Sequence, residues 1–159
     1  MCLFKMKEDF EKIKQFLDLN HIRYHTIEHP PMGKSEEVAE MRGVDIKTGA
    51  KSMIVRSEGK FYNFVLSAAK KIDWNKVKRI LSTKSVDMAS PEEIMKTVNC
   101  EIGSIPPFGN LYNLKVYCDK SLSENEEINF NAGTLTDSIK MKYKDWVKVV
   151  NPEICEFSK

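Results

Sequence analysis

The sequence predicts an α+β fold built on a mixed, mostly antiparallel sheet. Segments with helical periodicity and segments with strand alternation follow one another without a strict βαβ rhythm, which argues against a parallel doubly wound sheet. Two strand-like runs, Ala50 to Arg56 and Phe61 to Ala68, are separated only by Ser57-Glu58-Gly59-Lys60. That is a hairpin signal, and a hairpin is antiparallel. The 159 residues are read as one domain over 1–159, because a compact domain takes about 100–200 residues.

The elements follow in order. Phe10, Ile13, Phe16 and Leu17 recur at helical spacing with charged residues between them, so Lys7 to Asn20 is an amphipathic helix. Ile22 to Glu28 reads as a short strand, stopped by His29-Pro30-Pro31 because proline has no N–H for a ladder. Ser35 is a candidate cap for a second helix, with Glu36 and Glu37 in its first turn and Gly43 as its stop. Asp73 is a candidate cap for a third helix, whose apolar stripe is Trp74, Val77, Ile80 and Leu81. Ser90-Pro91-Glu92-Glu93 starts a fourth helix: serine caps, proline suits the first turn, and Glu93 completes a capping box. Lys115 to Cys118, Glu127 to Asn131 and Ser138 to Lys142 read as further strands, and Lys144 to Val150 as a closing helix.

Composition narrows the class. A 42% hydrophobic fraction with 30% charged residues fits an ordinary globular chain and excludes disorder. No apolar run approaches the ~20 residues of a membrane span. Met1 to Phe10 carries charges of both signs and no signal-peptide core, so the expected address is the cytoplasm. Net charge is +2, too small for a uniformly basic surface but compatible with a local basic patch. Cys2, Cys100, Cys118 and Cys155 are far apart and never at CxxC spacing, which disfavours a zinc site and suggests free thiols.

The usual catalytic signatures are missing: no GxSxG, no HExxH and no P-loop. His21, His25 and His29 read as polar residues on an edge strand and its exit loop rather than as a metal set. A nucleophilic thiol needs a cation or a helix N-terminus beside it. Cys118 instead sits in an apolar strand pattern, and Cys100 follows a helix C-terminus. Two features are more informative. The stretch Gly103-Ser104-Ile105-Pro106-Pro107-Phe108-Gly109 cannot be regular structure. It is either a tight connection or a rigid loop that presents backbone groups to a ligand. Lys51 opens an otherwise apolar strand, either as a strand-end charge or as a cation that holds phosphate or carboxylate.

Taken together, Ser35-Glu36-Glu37-Val38-Ala39, Gly49-Ala50-Lys51-Ser52, the Gly103–Gly109 stretch and Phe130-Asn131-Ala132-Gly133 resemble the YbaK/prolyl-tRNA editing-domain family, in order and in spacing, over about His25 to Val150. The resemblance implies a curved sheet forming a partly closed barrel with surrounding helices. It also implies a metal-independent, cofactor-free aminoacyl-tRNA deacylase acting in trans. The implied substrate is tRNA for proline carrying alanine or cysteine. The implied partners are aminoacyl-tRNA and, as a second candidate, prolyl-tRNA synthetase, with no membrane.

By the same resemblance Lys51, Gly103 and Pro107 are the expected catalytic positions. Lys51 would contact phosphate or the terminal adenosine, and Gly103 and Pro107 bound a GxxxP motif whose backbone meets the reacting ester. Ser52, Ser104, Ile105, Pro106, Phe108, Asn131, Ala132 and Gly133 are the expected substrate-binding positions. Asp137 falls near a variable polar position and receives no role. Water would attack an ester that is already activated, helped by the substrate's own 2′-hydroxyl, so positioning and oxyanion stabilisation suffice. Lys70, Lys71, Lys76, Lys78, Arg79 and Lys84 are either tRNA-backbone contacts or a solvated helix face. The competing readings are a non-catalytic tRNA-binding or regulatory module of the same fold, and a thiol-dependent protein.

Overall fold

The structure is a computed structural model that describes residues 3–31 and 35–159. Cys2 lies outside these, and so do the side chains of Ser35 and Glu36 expected at the second helix start. The helices are α1 (Leu3–Leu19), α2 (Ser35–Arg42), α3 (Trp74–Ile80), α4 (Pro91–Val98) and α5 (Tyr143–Val150). The strands are β1 (Tyr24–Glu28), β2 (Ala50–Ser57), β3 (Lys60–Ser67), β4 (Asp87–Met88), β5 (Lys115–Asp119), β6 (Glu127–Asn131), β7 (Asp137–Lys142) and β8 (Glu153–Cys155).

Among the described residues the strands form two sheets rather than one, a three-stranded β1-β7-β6 and a five-stranded β4-β2-β3-β5-β8. Pairing is antiparallel except for β3–β5 and β5–β8, so the larger sheet is mixed, the smaller is wholly antiparallel, and the pairing is mostly antiparallel as expected. A parallel bridge between Gly49 and Asn129 links the two sheets.

Local chemistry explains the elements. The β2–β3 turn has Glu58 and Gly59 both at positive φ, the conformation of a two-residue hairpin loop that follows strand twist. Asp73 caps α3 by accepting from Asn75 N and Lys76 N. Ser90 and Glu93 form the reciprocal capping box of α4. Arg56 then bridges to Glu93 at 2.9 Å and fastens α4 to β2. β1 starts at Tyr24, not Ile22, because Ile22 closes the end of α1: its N–H donates to Leu17 O at 3.0 Å. The strands β4 and β8 went unanticipated, since two and three residues are too short to show alternation.

The core has both faces of the larger sheet in it. Along β3, Val65 joins the cluster of α1, α5 and the small sheet, while Phe64 and Leu66 join the cluster of α3 and Phe157. β5 divides likewise, with Val116 and Cys118 on one face and Tyr117 on the other. Alternate residues of a strand point to opposite faces, so a continuous apolar run marks a strand buried on both sides.

One buried carboxylate ties down the segment after β8. Asp119 accepts from Phe157 N (2.7 Å), Ser158 N (3.1 Å), Ser158 Oγ (2.8 Å) and Ser121 N (3.0 Å). Burial pushes its carboxyl up, but the hydrogen bonds from Ser121, Phe157 and Ser158 outweigh that and hold it below the ordinary carboxylate range. A depressed folded-state pKa adds stability above the unfolded value, and that stability is lost as pH falls through the folded value. Asp119→Asn is therefore expected to cost about 1–3 kcal/mol at neutral pH. The difference from wild type should shrink once the medium is acid enough to protonate Asp119, which urea midpoints at the two pH values will show.

Candidate active site

Helix α2, strands β2 and β6 and the loop before Phe108 surround a cavity of about 570 Å³. α2 turns Val38, Ala39 and Arg42 toward it, with the spacing of one helical face. β2 contributes Ala50 to Ile54, β6 contributes Asn129 to Asn131, and the loop contributes Ile102, Gly103 and Ile105. Trp74, Lys71 and Lys159 complete the wall. Lys159 is held there by paired backbone hydrogen bonds with Lys71 at 3.1 and 2.8 Å.

Lys51, Ser52, Gly103, Ile105 and Asn131 thus line one cavity, and Lys71, expected as a tRNA-backbone contact or solvated helix face, lines it too. The Lys51 ammonium donates to the Lys70 carbonyl at 2.7 Å. Ser52 Oγ accepts from Asn63 Nδ2 (2.9 Å) and donates to Pro106 O (3.3 Å), so it is engaged as a strut rather than as a nucleophile.

Ser104, Pro106, Pro107, Phe108, Ala132 and Gly133, expected at the pocket, lie behind its wall. Phe108 is fully buried, edge-on to Phe16 and Phe130. Ser104 is fully buried and its carbonyl accepts from Gly133 N at 2.9 Å. Gly133 has φ +88°, and a Cβ there would lie 2.8 Å from that of Asp9. Ala132 has no exposure and donates its N–H to Asp137 O. Pro107 has no N–H to offer, and its carbonyl accepts from Trp146 Nε1 at 2.9 Å.

The loop is consequently fixed by its carbonyls. Asn131 Nδ2 takes Gly103 O (2.7 Å), Gly133 N takes Ser104 O, Ser52 Oγ and Phe108 N take Pro106 O, and Trp146 takes Pro107 O. Beyond the loop, Gly109 N donates to Asn63 Oδ1 at 3.1 Å, and no side chain fits there because a Cβ would come within 2.7 Å of Asn63. Ser104 N is used internally on Glu101 O. The N–H groups of Gly103 and Ile105 are the loop donors with no acceptor among the described residues.

Arg42, which no motif singled out, forms one end of the cavity. Its Nε donates to Ser138 Oγ (2.9 Å), Nη1 to Asn129 Oδ1 (2.6 Å) and Nη2 to Asn131 Oδ1 (3.0 Å). Burial pushes its pKa down to about 10, so it remains a cation at neutral pH. His29, unlike exposed His21 and His25, is buried and shares a 2.7 Å hydrogen bond with Ser138 Oγ. Asp137 has a structural place: it accepts from Thr134 and Thr136 hydroxyls and closes the β6–β7 turn.

The basic residues divide. Lys71 is on the cavity wall, Lys76 Nζ donates to Ser158 O (3.1 Å), and Lys78, Arg79 and Lys84 border a separate hollow with Glu58. Burial, the largest cause, pushes the Cys118 thiol up to about 12 and Cys155 up to about 11, and it raises Cys100 as well. Those shifts oppose thiolate formation and weaken the thiol-dependent reading. Among the described residues no three His, Cys, Asp or Glu side chains converge as a metal site requires. No helix among them is long and apolar enough to cross a membrane.

Trp146→Phe removes the donor to the Pro107 carbonyl and leaves it buried. It should lower stability by about 1–3 kcal/mol, read by urea denaturation.

Residues 29–149 match the aminoacyl-tRNA editing domain. The chain is 32% identical over 139 residues to the multifunctional Ser/Thr-tRNA deacylase ProXp-y of Escherichia coli (strain K12), covering 84% of this chain and 83% of that one. It is 22% identical over 163 residues to a proline–tRNA ligase of Caldicellulosiruptor saccharolyticus, where the match spans 27% of the larger protein. A solved structure described as a candidate trans-editing enzyme for prolyl tRNA synthetase superposes with a TM-score of 0.83 at 22% identity, over 95% of this chain and 97% of that chain. The structure of hypothetical protein APE2540 superposes with a TM-score of 0.86 at 19% identity, over 93% and 99%. At these identities the superpositions speak to the fold, whereas the domain match over most of the chain and the relative at 32% identity decide the family. The chain belongs to the aminoacyl-tRNA editing domain family.

Proposed function

We propose that this protein hydrolyses the ester of mischarged aminoacyl-tRNA in trans, with the charged 3′ end held in the cavity bounded by Arg42, Lys51 and Gly103. One observation carries the reading: Lys51, the Gly103 loop and the β6 asparagines converge on a single cavity of about 570 Å³. That is the size of a small-molecule site and far more than an amino-acid side chain needs. It suits an aminoacyl-adenosine. Trp74, Met53 and Met88 offer apolar surface to a base, and Lys51, Lys71 and Lys159 offer charge to phosphate. We read the two sheets as walls of a partly closed barrel, with the Gly49–Asn129 bridge as a seam.

In this account Gly103 N–H and Ile105 N–H donate to the ester carbonyl as it becomes an oxyanion. Preorganised donors of that kind supply the largest share of many acyl-transfer rate enhancements. Lys51 holds the nucleotide end. Water attacks the carbonyl carbon, aided by the substrate's 2′-hydroxyl. The ester C–O bond breaks, and the ribose oxygen leaves with a proton. No side-chain nucleophile is required, consistent with Ser52 being used as a strut.

The resemblance suggested alanine or cysteine on tRNA for proline. The Asn129 side-chain oxygen lines the cavity and can accept a second hydrogen bond beside the one from Arg42, which favours serine and threonine with their hydroxyls. A site that hydrogen-bonds a substrate hydroxyl rejects analogues lacking it more strongly than a size filter does. The named activity of the relative ProXp-y toward Ser- and Thr-tRNA supports the same choice.

Purified protein should be given tRNA charged with serine, threonine, alanine or cysteine. The expected result is hydrolysis of Ser- or Thr-tRNA ahead of the other two, with kcat/KM reduced about tenfold or more in Lys51→Ala. Faster turnover of Ala- or Cys-tRNA would overturn the choice of amino acid. Salt-sensitive tRNA binding with no turnover of any of the four would replace the enzyme by the binding-module reading.

A further inference from the structure

We infer that Arg42 is a positioning residue for deacylation: it fixes the side-chain amide of Asn131, which grips the Gly103 carbonyl and so sets where the loop's N–H groups point. The consequence for turnover rests on the deacylase reading above, while the consequence for the loop does not.

The hydrogen bonds run in one direction. Arg42 Nη2 donates to Asn131 Oδ1 (3.0 Å), and Asn131 Nδ2 donates to Gly103 O (2.7 Å). An asparagine amide presents an acceptor on one side and donors on the other. Flipped by 180°, Asn131 would turn its oxygen toward the Gly103 carbonyl, two acceptors face to face. Donation from Arg42 to Oδ1, with a longer bond from the Ser138 hydroxyl at 3.3 Å that Arg42 Nε itself holds, disfavours that rotamer. Arg42 treats Asn129 in the same way: Nη1 holds Oδ1 at 2.6 Å, and Nδ2 is left to donate to Thr48 Oγ1 at 2.8 Å. Positions 129 and 131 lie on the same face of β6, so one planar guanidinium reaches both. Ser138, its third partner, is the register partner of Asn131 on β7.

Energetics argue that Arg42 is present for geometry rather than for stability. Among the described residues the partners of this part-buried cation are two amides and a hydroxyl, with no carboxylate among its hydrogen bonds. A charge withdrawn from water without a counter-charge is a poor source of stability. Its rigid fork, in contrast, matches the task of orienting two amides at once, which a lysine's single ammonium cannot reproduce. Sequence spacing hides the arrangement, because Arg42 meets Asn131 across 89 positions.

The test combines turnover with a measurement on the free protein. Arg42→Met should lower kcat about 10- to 100-fold, the range of a hydrogen bond to a charged group, with KM changed less than about threefold. It should also speed hydrogen–deuterium exchange across 101–109 in the absence of substrate. Asn131→Asp keeps a partner for Arg42 but cannot donate to Gly103. Adding Arg42→Met to it should change kcat less than about twofold further, since both act through one link. Arg42→Lys should recover only part of the loss. Where Arg42→Met does not fold, Arg42→Gln carries the same measurements. Unchanged exchange across 101–109, or losses that multiply in the double variant, would overturn the inference. If the wild type hydrolyses no charged tRNA, the deacylase reading fails, while the exchange result still decides whether Arg42 sets the loop.

Discussion

The site depends on one constraint: the loop from Gly103 to Gly109 has its carbonyls drawn outward by the rest of the protein. Strand β6, strand β2 and helix α5 each contribute a donor to it, through Asn131, Ser52 and Trp146. Proline at 106 and 107 removes two N–H groups that would otherwise compete and confines the backbone path. What remains without an acceptor among the described residues are the N–H groups of Gly103 and Ile105, two residues that line the cavity. A loop held from three sides keeps its donors in place without reorganising during reaction, which is the property that makes backbone dipoles effective in acyl transfer.

The charge pattern is consistent with this division of labour. Cations surround the cavity at Arg42, Lys51, Lys71 and Lys159, and among the described residues no acidic side chain lines it. That suits a ligand bearing phosphate at one end and an ester at the other. Arg42 stands apart from the lysines because its fork is spent on neutral amides, so its charge is coupled to the loop. The buried thiols, raised in pKa by burial, are packing elements in Cys100 and Cys118.

Much of this was legible in the sequence. The caps at Asp73 and Ser90, the Glu58-Gly59 hairpin and the helical stripes are local signals, decided within a few residues, and they stand where they were expected. The motif strings identified the family, and each of them contains residues that line the cavity. They did not separate wall from backing. In Phe130-Asn131-Ala132-Gly133 the residues Phe130 and Asn131 line the cavity while Ala132 and Gly133 sit against α1. In the loop, Gly103 and Ile105 face the cavity and Ser104 turns into the core. Arg42, Asn129, Ser138 and buried His29 were invisible because they meet only once α2 packs over the β1-β7-β6 sheet. Periodicity reports burial along one element and carries no signal for a polar cluster assembled from four.

The account turns on two backbone N–H groups meeting the substrate carbonyl. The most direct measurement is an amide-resolved NMR titration with a seryl-amide analogue of the terminal adenosine, which carries the carbonyl but cannot be hydrolysed as an ester. The account predicts saturable downfield shifts of the Gly103 and Ile105 amide protons, larger than those elsewhere around the cavity. A titration that leaves both unmoved, whether the analogue binds at other residues or nowhere, would contradict it.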